Sequence, residues 1–391
     1  MQTLTVFIAA AGALLAATPS AGSVPAGTAL FFEQGCPDGW IREPLSAGRM
    51  IVSVTNGTRG GFTIHQALSD QEVRTHSHQS LAVTSLATKS VSGVDGSDHS
   101  AAAHGAQHGA NATAASAAGL GFVQLPLCVA VTALPNATLP AGAAAFFGPD
   151  TFSCPAGFDP LADAAGRILT PAHDLQITKS DSLPLGDQED RLHSHPTDNG
   201  RCAINTQATD FEGIGGCCND SPSADGTYPV SVSAGPASTG LPYIQLLTCG
   251  AAGDEQSHGA SQGSLPDGAL FFSTSELGCP AGWEVFDELG GRFPVSTPVG
   301  GTDGSVFGGE PIARASAAGT THAHDLHGSI VTSPAGIELV HGCCAKGYAE
   351  SGVYEYACAT DDTQGSGLPY LMTPLCRRSP AAAATGLRGF A

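Results

Sequence analysis

The chain has 391 residues, of which 42% are hydrophobic and only 13% are charged, a composition that excludes an intrinsically disordered protein. The formal net charge is −20 and lysine occurs only at positions 89, 179 and 346. This balance excludes a surface that follows nucleic-acid phosphates and a polybasic membrane contact.

Residues 1–22 predict a secretory signal peptide. An apolar run at residues 4–17 is followed by small residues, and it is shorter than a membrane span. Twelve cysteines agree with an oxidising compartment. We therefore expect a secreted, extracellular protein without membrane insertion. Four glycosylation sequons, which agree with secretion, begin at Asn56, Asn111, Asn136 and Asn219.

Three copies of one sequence frame follow the leader. Each copy has a Phe-Phe pair, then Cys-Pro-x-Gly-aromatic, then Gly-Arg, then His-x-His, and finally a closing Cys. The interval from the first Cys to the Gly of Gly-Arg is 12 residues in every copy. The repeat predicts module 1 at 25–130, module 2 at 139–250 and module 3 at 265–377, with a disordered tail at 378–391.

The local patterns predict a mainly β fold. Short apolar or alternating segments are bounded by Gly, Pro, Asn or Ser, and no stretch keeps a helical period. We therefore expect three tandem β-rich modules of about 110 residues with long irregular loops. In each module the Phe-Phe pair places one ring on each face of a strand, with the outward ring free to meet another module.

The cysteines predict a disulfide within each module. Two cysteines recur in all three copies, which suggests the pairs Cys36–Cys128, Cys154–Cys249 and Cys279–Cys376. Modules 2 and 3 each carry three more cysteines, at positions 202, 217, 218, 343, 344 and 358. An odd number in each module leaves one cysteine for a bridge between modules, for a bridge between chains, or as a free thiol.

The His-x-His pairs are the candidate functional residues. On an extended strand, residues i and i+2 face the same side, so each pair presents two imidazoles together. Six imidazoles around one axis suit octahedral Fe, Ni or Co, whereas one pair with carboxylates or water suits Zn. We therefore expect a transition metal ion as cofactor, with Fe, Zn and Ni as candidates; the alternative is a hydrogen-bonded histidine interface without metal. The predicted ligands are His76, His78, His193, His195, His322 and His324.

Acidic residues precede two of the pairs. Asp70, Glu72, Asp187 and Glu189 could accept hydrogen bonds from the ligating imidazoles, as carboxylates around metal sites often do. They could equally form ion pairs with Arg74 and Arg191.

The order Phe-Phe, Pro-x-Gly-Trp, Gly-Arg, Gly-Gly and His-Ser-His resembles the collar module of phage tail fibres. That resemblance implies β-rich modules that intertwine as trimers, His-x-His pairs that bind metal on the axis, and adhesion to cell-surface glycans. Three modules in one chain would then form an internal pseudo-threefold arrangement. Module 2 lacks the Gly-Gly, and module 3 lacks the acidic run before its histidines.

The sequence favours a non-enzymatic structural or recognition protein whose partner is a cell-surface or matrix glycan or protein. One alternative is a metal-dependent enzyme with a His-x-His site like those of cupins or carbonic anhydrases. A cupin, however, needs a Glu shortly after the pair, and neither His78 nor His195 is followed by one. Another alternative is a disulfide-linked wall or matrix component that self-associates through its spare cysteines.

Overall fold

The computed structural model describes residues 23–54, 60–85, 89–91, 99–101, 106–148, 151–173, 175, 177–195, 202–206, 211–212, 226–253, 265–275, 278–313, 321–331, 336–337, 347–349, 353–360 and 365–378. This part of the chain is mainly β, as the sequence predicts; its only helical pieces are two single 3₁₀ turns, Ala162–Ala164 and Asp287–Leu289. No helix in these residues is long and apolar enough to cross a membrane. The predicted signal peptide at 1–22 lies outside the described residues, as does the tail beyond residue 378.

The strands are short. Residues 23–138 contain β1 (Ser23–Val24), β2 (Thr28–Phe32), β3 (Trp40–Arg42), β4 (Met50–Val54), β5 (Thr63–Ile64), β6 (Thr75–His76), β7 (Gln79–Ser85), β8 (Lys89–Val91), β9 (His99–Ala101), β10 (Ala106–Ala112), β11 (Ser116–Ala117), β12 (Gly121–Leu125), β13 (Leu127–Ala130) and β14 (Leu134–Thr138). Residues 143–251 contain β15 (Ala143–Phe147), β16 (Phe158–Pro160), β17 (Ile168–Pro171), β18 (Thr178–Lys179), β19 (Leu192–His193), β20 (Ala203–Thr206), β21 (Phe211–Glu212), β22 (Gly226–Ala234), β23 (Ala237–Ser238) and β24 (Tyr243–Ala251). Residues 269–378 contain β25 (Ala269–Ser273), β26 (Trp283–Val285), β27 (Phe293–Ser296), β28 (Val306–Gly308), β29 (Asp325–Val331), β30 (Gly336–Ile337), β31 (Gly347–Ala349), β32 (Val353–Ala359), β33 (Tyr370–Thr373) and β34 (Leu375–Arg378).

Parallel strand pairs connect the predicted modules in a cycle. The strand after each Gly-Arg pairs with a late strand of another module: β4 with β24, β17 with β33, and β27 with β12. These ladders therefore run from module 1 to module 2, from module 2 to module 3, and from module 3 back to module 1. Strands from all three predicted modules belong to one branching sheet of 17 strands, which we call the large sheet.

The glycine of each Gly-Arg is required by a close backbone crossing. Gly48 has a φ of 69°, and a Cβ there would lie 2.3 Å from the carbonyl oxygen of Leu68. Its N–H donates to the carbonyl of Ser296 in module 3 at 2.7 Å. The same positive φ and the same crowding recur at Gly166 and Gly291. A side chain at any of these positions would both strain the backbone and push the crossing segment away.

The Phe-Phe pairs place their rings on opposite faces, as expected. One ring from each module enters the central cluster, where Phe31 contacts Phe146 and Phe272 edge to face, with ring centroids 5.7 and 6.4 Å apart. The other rings pack against the aromatic residue of Cys-Pro-x-Gly-aromatic in the pairs Phe32–Trp40, Phe147–Phe158 and Phe271–Trp283. In module 3 the order is reversed, because the pair is shifted by one residue: Phe271 lies opposite Cys376, whereas Leu30 lies opposite Cys128.

Six strands outside the large sheet form a tube. We call this element the distal tube. Four of them pair in the order β10-β7-β22-β20, and β29 pairs with β32. β29 lies beside β10, and β32 lies beside β20. The interior of the distal tube is apolar and contains Ala82, Val230, Val232, Leu326 and Ile330.

Four disulfides lie in the described part of the chain. Three are the predicted pairs Cys36–Cys128, Cys154–Cys249 and Cys279–Cys376. The fourth joins Cys202 to Cys358 and so connects modules 2 and 3 across the distal tube. The loops that these bridges close are long enough for each to stabilise the fold by about 4–5 kcal/mol on the loop-entropy model. Cys217, Cys218, Cys343 and Cys344 lie outside the described residues.

The central rings give a test of this packing. Phe146 is 2% exposed, so Phe146→Ala should lower the free energy of unfolding by about 3–5 kcal/mol through lost burial and a cavity. Phe152→Ala is the matched control, because that ring is 51% exposed and its loss should cost little. Urea unfolding of both variants measures the difference. Equal midpoints for the two variants would contradict the central position of Phe146.

Candidate metal centre

Short strands bring all six predicted histidines together within one chain. His76 ends β6 and His193 ends β19; these strands pair with β11 and β23. His322 follows Thr321, which forms a single bridge to Gly365. The second histidine of each pair lies two residues further on and faces the same interior. All six side chains are buried; the most exposed, His193, has an exposed fraction of 9%.

The first histidines of the three pairs form a triangle. The Nε2 atoms of His76 and His193 are 3.1 Å apart, those of His193 and His322 are 3.2 Å apart, and those of His322 and His76 are 3.3 Å apart. The Nε2 atom of His195 also lies 3.2 Å from that of His322. Five of the histidines each offer one ligand atom within 4.8 Å of the others, so this buried cluster could hold a metal ion; they are His76, His78, His193, His195 and His324.

Hydrogen bonding alone does not satisfy this triangle. A ring nitrogen of a neutral imidazole offers either one N–H or one lone pair. Of three nitrogens in mutual contact, one can donate to another, and the third remains unpaired. Five more buried ring nitrogens have no hydrogen-bond partner among the described residues: Nδ1 of His76, His193 and His322, and Nε2 of His78 and His324. A cation in the centre would receive the lone pairs of the inward Nε2 atoms, whereas the three Nδ1 atoms lie on the other side of their rings and would carry the protons.

Backbone carbonyls set the orientation of two of the second histidines. Nδ1 of His78 lies 2.7 Å from the carbonyl oxygen of Gly235, and Nδ1 of His324 lies 3.1 Å from that of Ala114. Because a carbonyl only accepts, each Nδ1 carries the proton and each Nε2 has a lone pair. Nε2 is then ready to bind a metal ion without losing a proton. In both cases the carbonyl belongs to a different predicted module.

Two buried threonines also hold these histidines, and the sequence reasoning missed them. The N–H of His78 donates to Oγ1 of Thr113 at 2.9 Å, and the N–H of His324 donates to Oγ1 of Thr360 at 2.8 Å. A signal was present in the sequence, since the threonine follows its histidine by 35 residues in one module and by 36 in the other. Module 2 has Ala234 before the equivalent carbonyl, so the motif is incomplete there.

Burial keeps four of these imidazoles uncharged. Burial, and to a smaller extent the neighbouring imidazoles, together lower the pKa of His76 and His322 to about 3 and that of His193 to about 4. The pKa of His324 is also lowered, again chiefly by burial. These imidazoles are therefore neutral near pH 7, which is the form that binds metal.

The acidic residues before the pairs do not contact the imidazoles in the described structure. Glu72 pairs with Arg74 through its Oε1 at 2.5 Å, and Glu189 pairs with Arg191. Arg74 also donates to the carbonyl of Gly240 at 3.1 Å, which connects module 1 to module 2. These two ion pairs thus brace the turns that lead to the histidine pairs of modules 1 and 2.

The two aspartates also lie outside the histidine cluster. Asp70 accepts hydrogen bonds from Nε2 of Gln124 and from the N–H of Thr302, and Asp187 accepts one from Gln188. They secure the loops around the turns, and the predicted role as direct acceptors for the imidazoles has no hydrogen bond to support it in the described residues.

The sequons are placed only in part. Asn136 is exposed on β14, and Asn111 lies on β10. Asn56 and Asn219 lie outside the described residues.

The lowered pKa values predict how the metal-free protein responds to acid. The unfolded chain binds protons on these histidines below their ordinary pKa of 6.5, whereas the folded chain resists until about pH 3–4. Stability should therefore fall as pH decreases from 6.5 to 4, by on the order of 1 kcal/mol per histidine per pH unit. Thermal unfolding in the presence of a chelator measures this. A melting temperature that stays constant over that range would contradict the buried neutral cluster.

Comparisons with known proteins give no match. No protein-family model matches the sequence, no curated protein matches it, and no solved structure matches the fold. The resemblance to the tail-fibre collar module thus remains a prediction from short motifs.

Proposed function

We propose that this chain is a secreted, non-enzymatic structural or recognition protein in which the six histidines hold one transition metal ion. The ion would act as a staple between three modules arranged with internal pseudo-threefold symmetry. The observation that carries this proposal is a cluster of six buried imidazoles, two from each predicted module. Five of them offer ligand atoms within 4.8 Å of one another, and Nε2 of the sixth, His322, lies 3.2–3.3 Å from three of their Nε2 atoms.

The nitrogen spacing supports a bound ion. With a metal–nitrogen bond of about 2.1 Å, neighbouring ligand nitrogens lie roughly 3.0 Å apart in an octahedron and about 3.4 Å apart in a tetrahedron. The Nε2 distances of 3.1–3.3 Å lie within these limits. Six available imidazoles favour the octahedral arrangement, and imidazole binds Fe, Ni and Zn.

The surroundings of the cluster support a structural role for the ion. Along β29, His324 is followed on the same face by Leu326 and Ile330 of the distal tube. On the other side, β6 pairs with β11, which is followed by Ala118 and Leu120 of a second apolar cluster. A substrate would have to cross one of these clusters, and six protein ligands leave no coordination position for it. The enzyme alternative is therefore disfavoured.

The compartment and partner follow from separate features. Four disulfides and the N-terminal apolar run favour secretion. Gly- and Ser-rich stretches of the sequence, its low content of basic residues and the tail-fibre resemblance favour a cell-surface or matrix glycan or protein as partner.

Metal analysis tests the staple. The purified secreted protein should contain one transition metal ion per chain, and His193→Ala/His195→Ala should contain none. The matched control is His327→Ala, because that histidine is exposed on β29 and should not affect metal content. An ion held at a free concentration 1,000-fold above its Kd contributes about 4 kcal/mol, so the double variant should also unfold at a lower temperature. Metal-free wild-type protein with unchanged stability in the double variant would overturn the staple.

A binding screen tests recognition. The labelled, metal-loaded protein should bind a subset of glycans on an array, or a component of extracellular matrix, and should lose that binding once unfolded. Carbon dioxide hydration and dioxygenase activity are measured in parallel on the same material. Either activity, abolished in His193→Ala/His195→Ala, would favour the metalloenzyme alternative over the recognition protein.

A further inference from the structure

The distal tube has three junctions between modules, and they are closed in different ways. Module 2 joins module 1 through a ladder between β22 and β7 that runs from Val230 opposite Thr84 to Ala234 opposite Ser80. Module 1 meets module 3 where the N–H of Ala114 donates to the carbonyl of Asp325 at 2.8 Å. Unlike the first junction, this one has no ladder between β10 and β29 in the described residues; that backbone hydrogen bond and the contact of 3.1 Å between Nδ1 of His324 and the carbonyl oxygen of Ala114 connect the two modules.

The third junction depends on a disulfide. Within the part of the chain that the structure describes, β20 and β32 lie side by side but share no hydrogen-bonded ladder. The covalent connection between them is Cys202–Cys358. Cys202 is 2% exposed and packs with Leu326 and Ile330 inside the tube, so this bridge is part of the apolar layer that covers the histidines.

This bridge is directly connected to the histidine cluster. Cys358 is two residues before Thr360, which contacts His324 twice: its N–H donates to the carbonyl of His324 at 2.9 Å, and its Oγ1 accepts from the N–H of His324. On the other strand, Cys202 follows His195 by seven residues. A displacement of β32 away from β20 would therefore move a ligand and open the layer above the cluster.

The opposite side of the cluster offers no comparable opening. There the three parallel ladders between modules close the large sheet in a cycle. Opening any of them would break several hydrogen bonds at once and expose the central aromatic rings, whereas opening the β20–β32 junction without its disulfide would expose only the small core of the distal tube.

We propose that the Cys202–Cys358 disulfide is a latch that traps the bound ion kinetically. With the disulfide formed, the ion leaves only when the large sheet or the whole tube opens. Without it, the β20–β32 junction opens locally and the ion exchanges with solution. This inference rests on the proposed metal staple, and it adds that ion exchange is controlled at one junction of the three.

The test is the rate at which metal passes from the loaded protein to an excess of a chromophoric chelator such as pyridylazoresorcinol. Three proteins are compared: wild type, Cys202→Ala/Cys358→Ala, and the control Cys36→Ala/Cys128→Ala. The control removes a disulfide that closes a loop of comparable entropy but lies in the large sheet. We expect release at least about tenfold faster in the latch variant than in wild type, and a much smaller increase in the control.

The outcomes are distinguishable. A wild-type protein that contains no ion overturns the staple itself. A loaded wild type with equal release from all three proteins overturns the latch and leaves the staple intact. Equally faster metal release from the control and from the latch variant also overturns the latch, because the effect would then be general destabilisation of the fold. Cys202→Val/Cys358→Ala, which restores apolar volume, is the second variant if the first does not fold.

Discussion

Parallel pairing between modules is the constraint on which this fold depends. Each strand that follows a Gly-Arg completes its hydrogen bonds with a late strand of another module, and the three ladders form a cycle. The glycine crossings add a further backbone hydrogen bond from each module to another, as from Gly48 to Ser296. No predicted module could satisfy its backbone alone, because buried strand edges need partners. The modules therefore fold together, and the histidines meet as a consequence.

Features that recur at the same position in all three copies could be predicted from the sequence. The class of fold, the three disulfides within modules and the inward-facing His-x-His pairs all follow from spacing and from the alternation of side chains along a strand. The reversed rings of module 3 could not be predicted, because a shift of one residue in Phe271-Phe272 alters no composition and no motif. Pairing Cys202 with Cys358 required knowing that β20 lies beside β32. Both facts depend on which distant strands lie side by side, and neighbouring residues in the sequence do not reveal this.

The surroundings of the histidines were harder to predict for a physical reason. The acids before the pairs suited both the imidazoles and the arginines as partners; Glu72 and Glu189 pair with Arg74 and Arg191, which follow two residues later and offer full charges at short range. The true partners of His78 and His324 are carbonyl oxygens and threonine hydroxyls. Every residue has a carbonyl, so such a partner leaves no trace in the sequence.

The six imidazoles belong to one polypeptide, and this changes the thermodynamics of the centre. In an assembly of separate chains, every dilution would favour loss of ligands, and occupancy of the site would depend on protein concentration. Within one chain the other modules are always present at an effective concentration set by the linkers, in the millimolar range for short ones. A protein released into a large extracellular volume would thus keep its ligand set complete at any dilution. The same covalent connection lets the predicted modules differ from one another, as module 3 does in lacking the acidic run before its histidines.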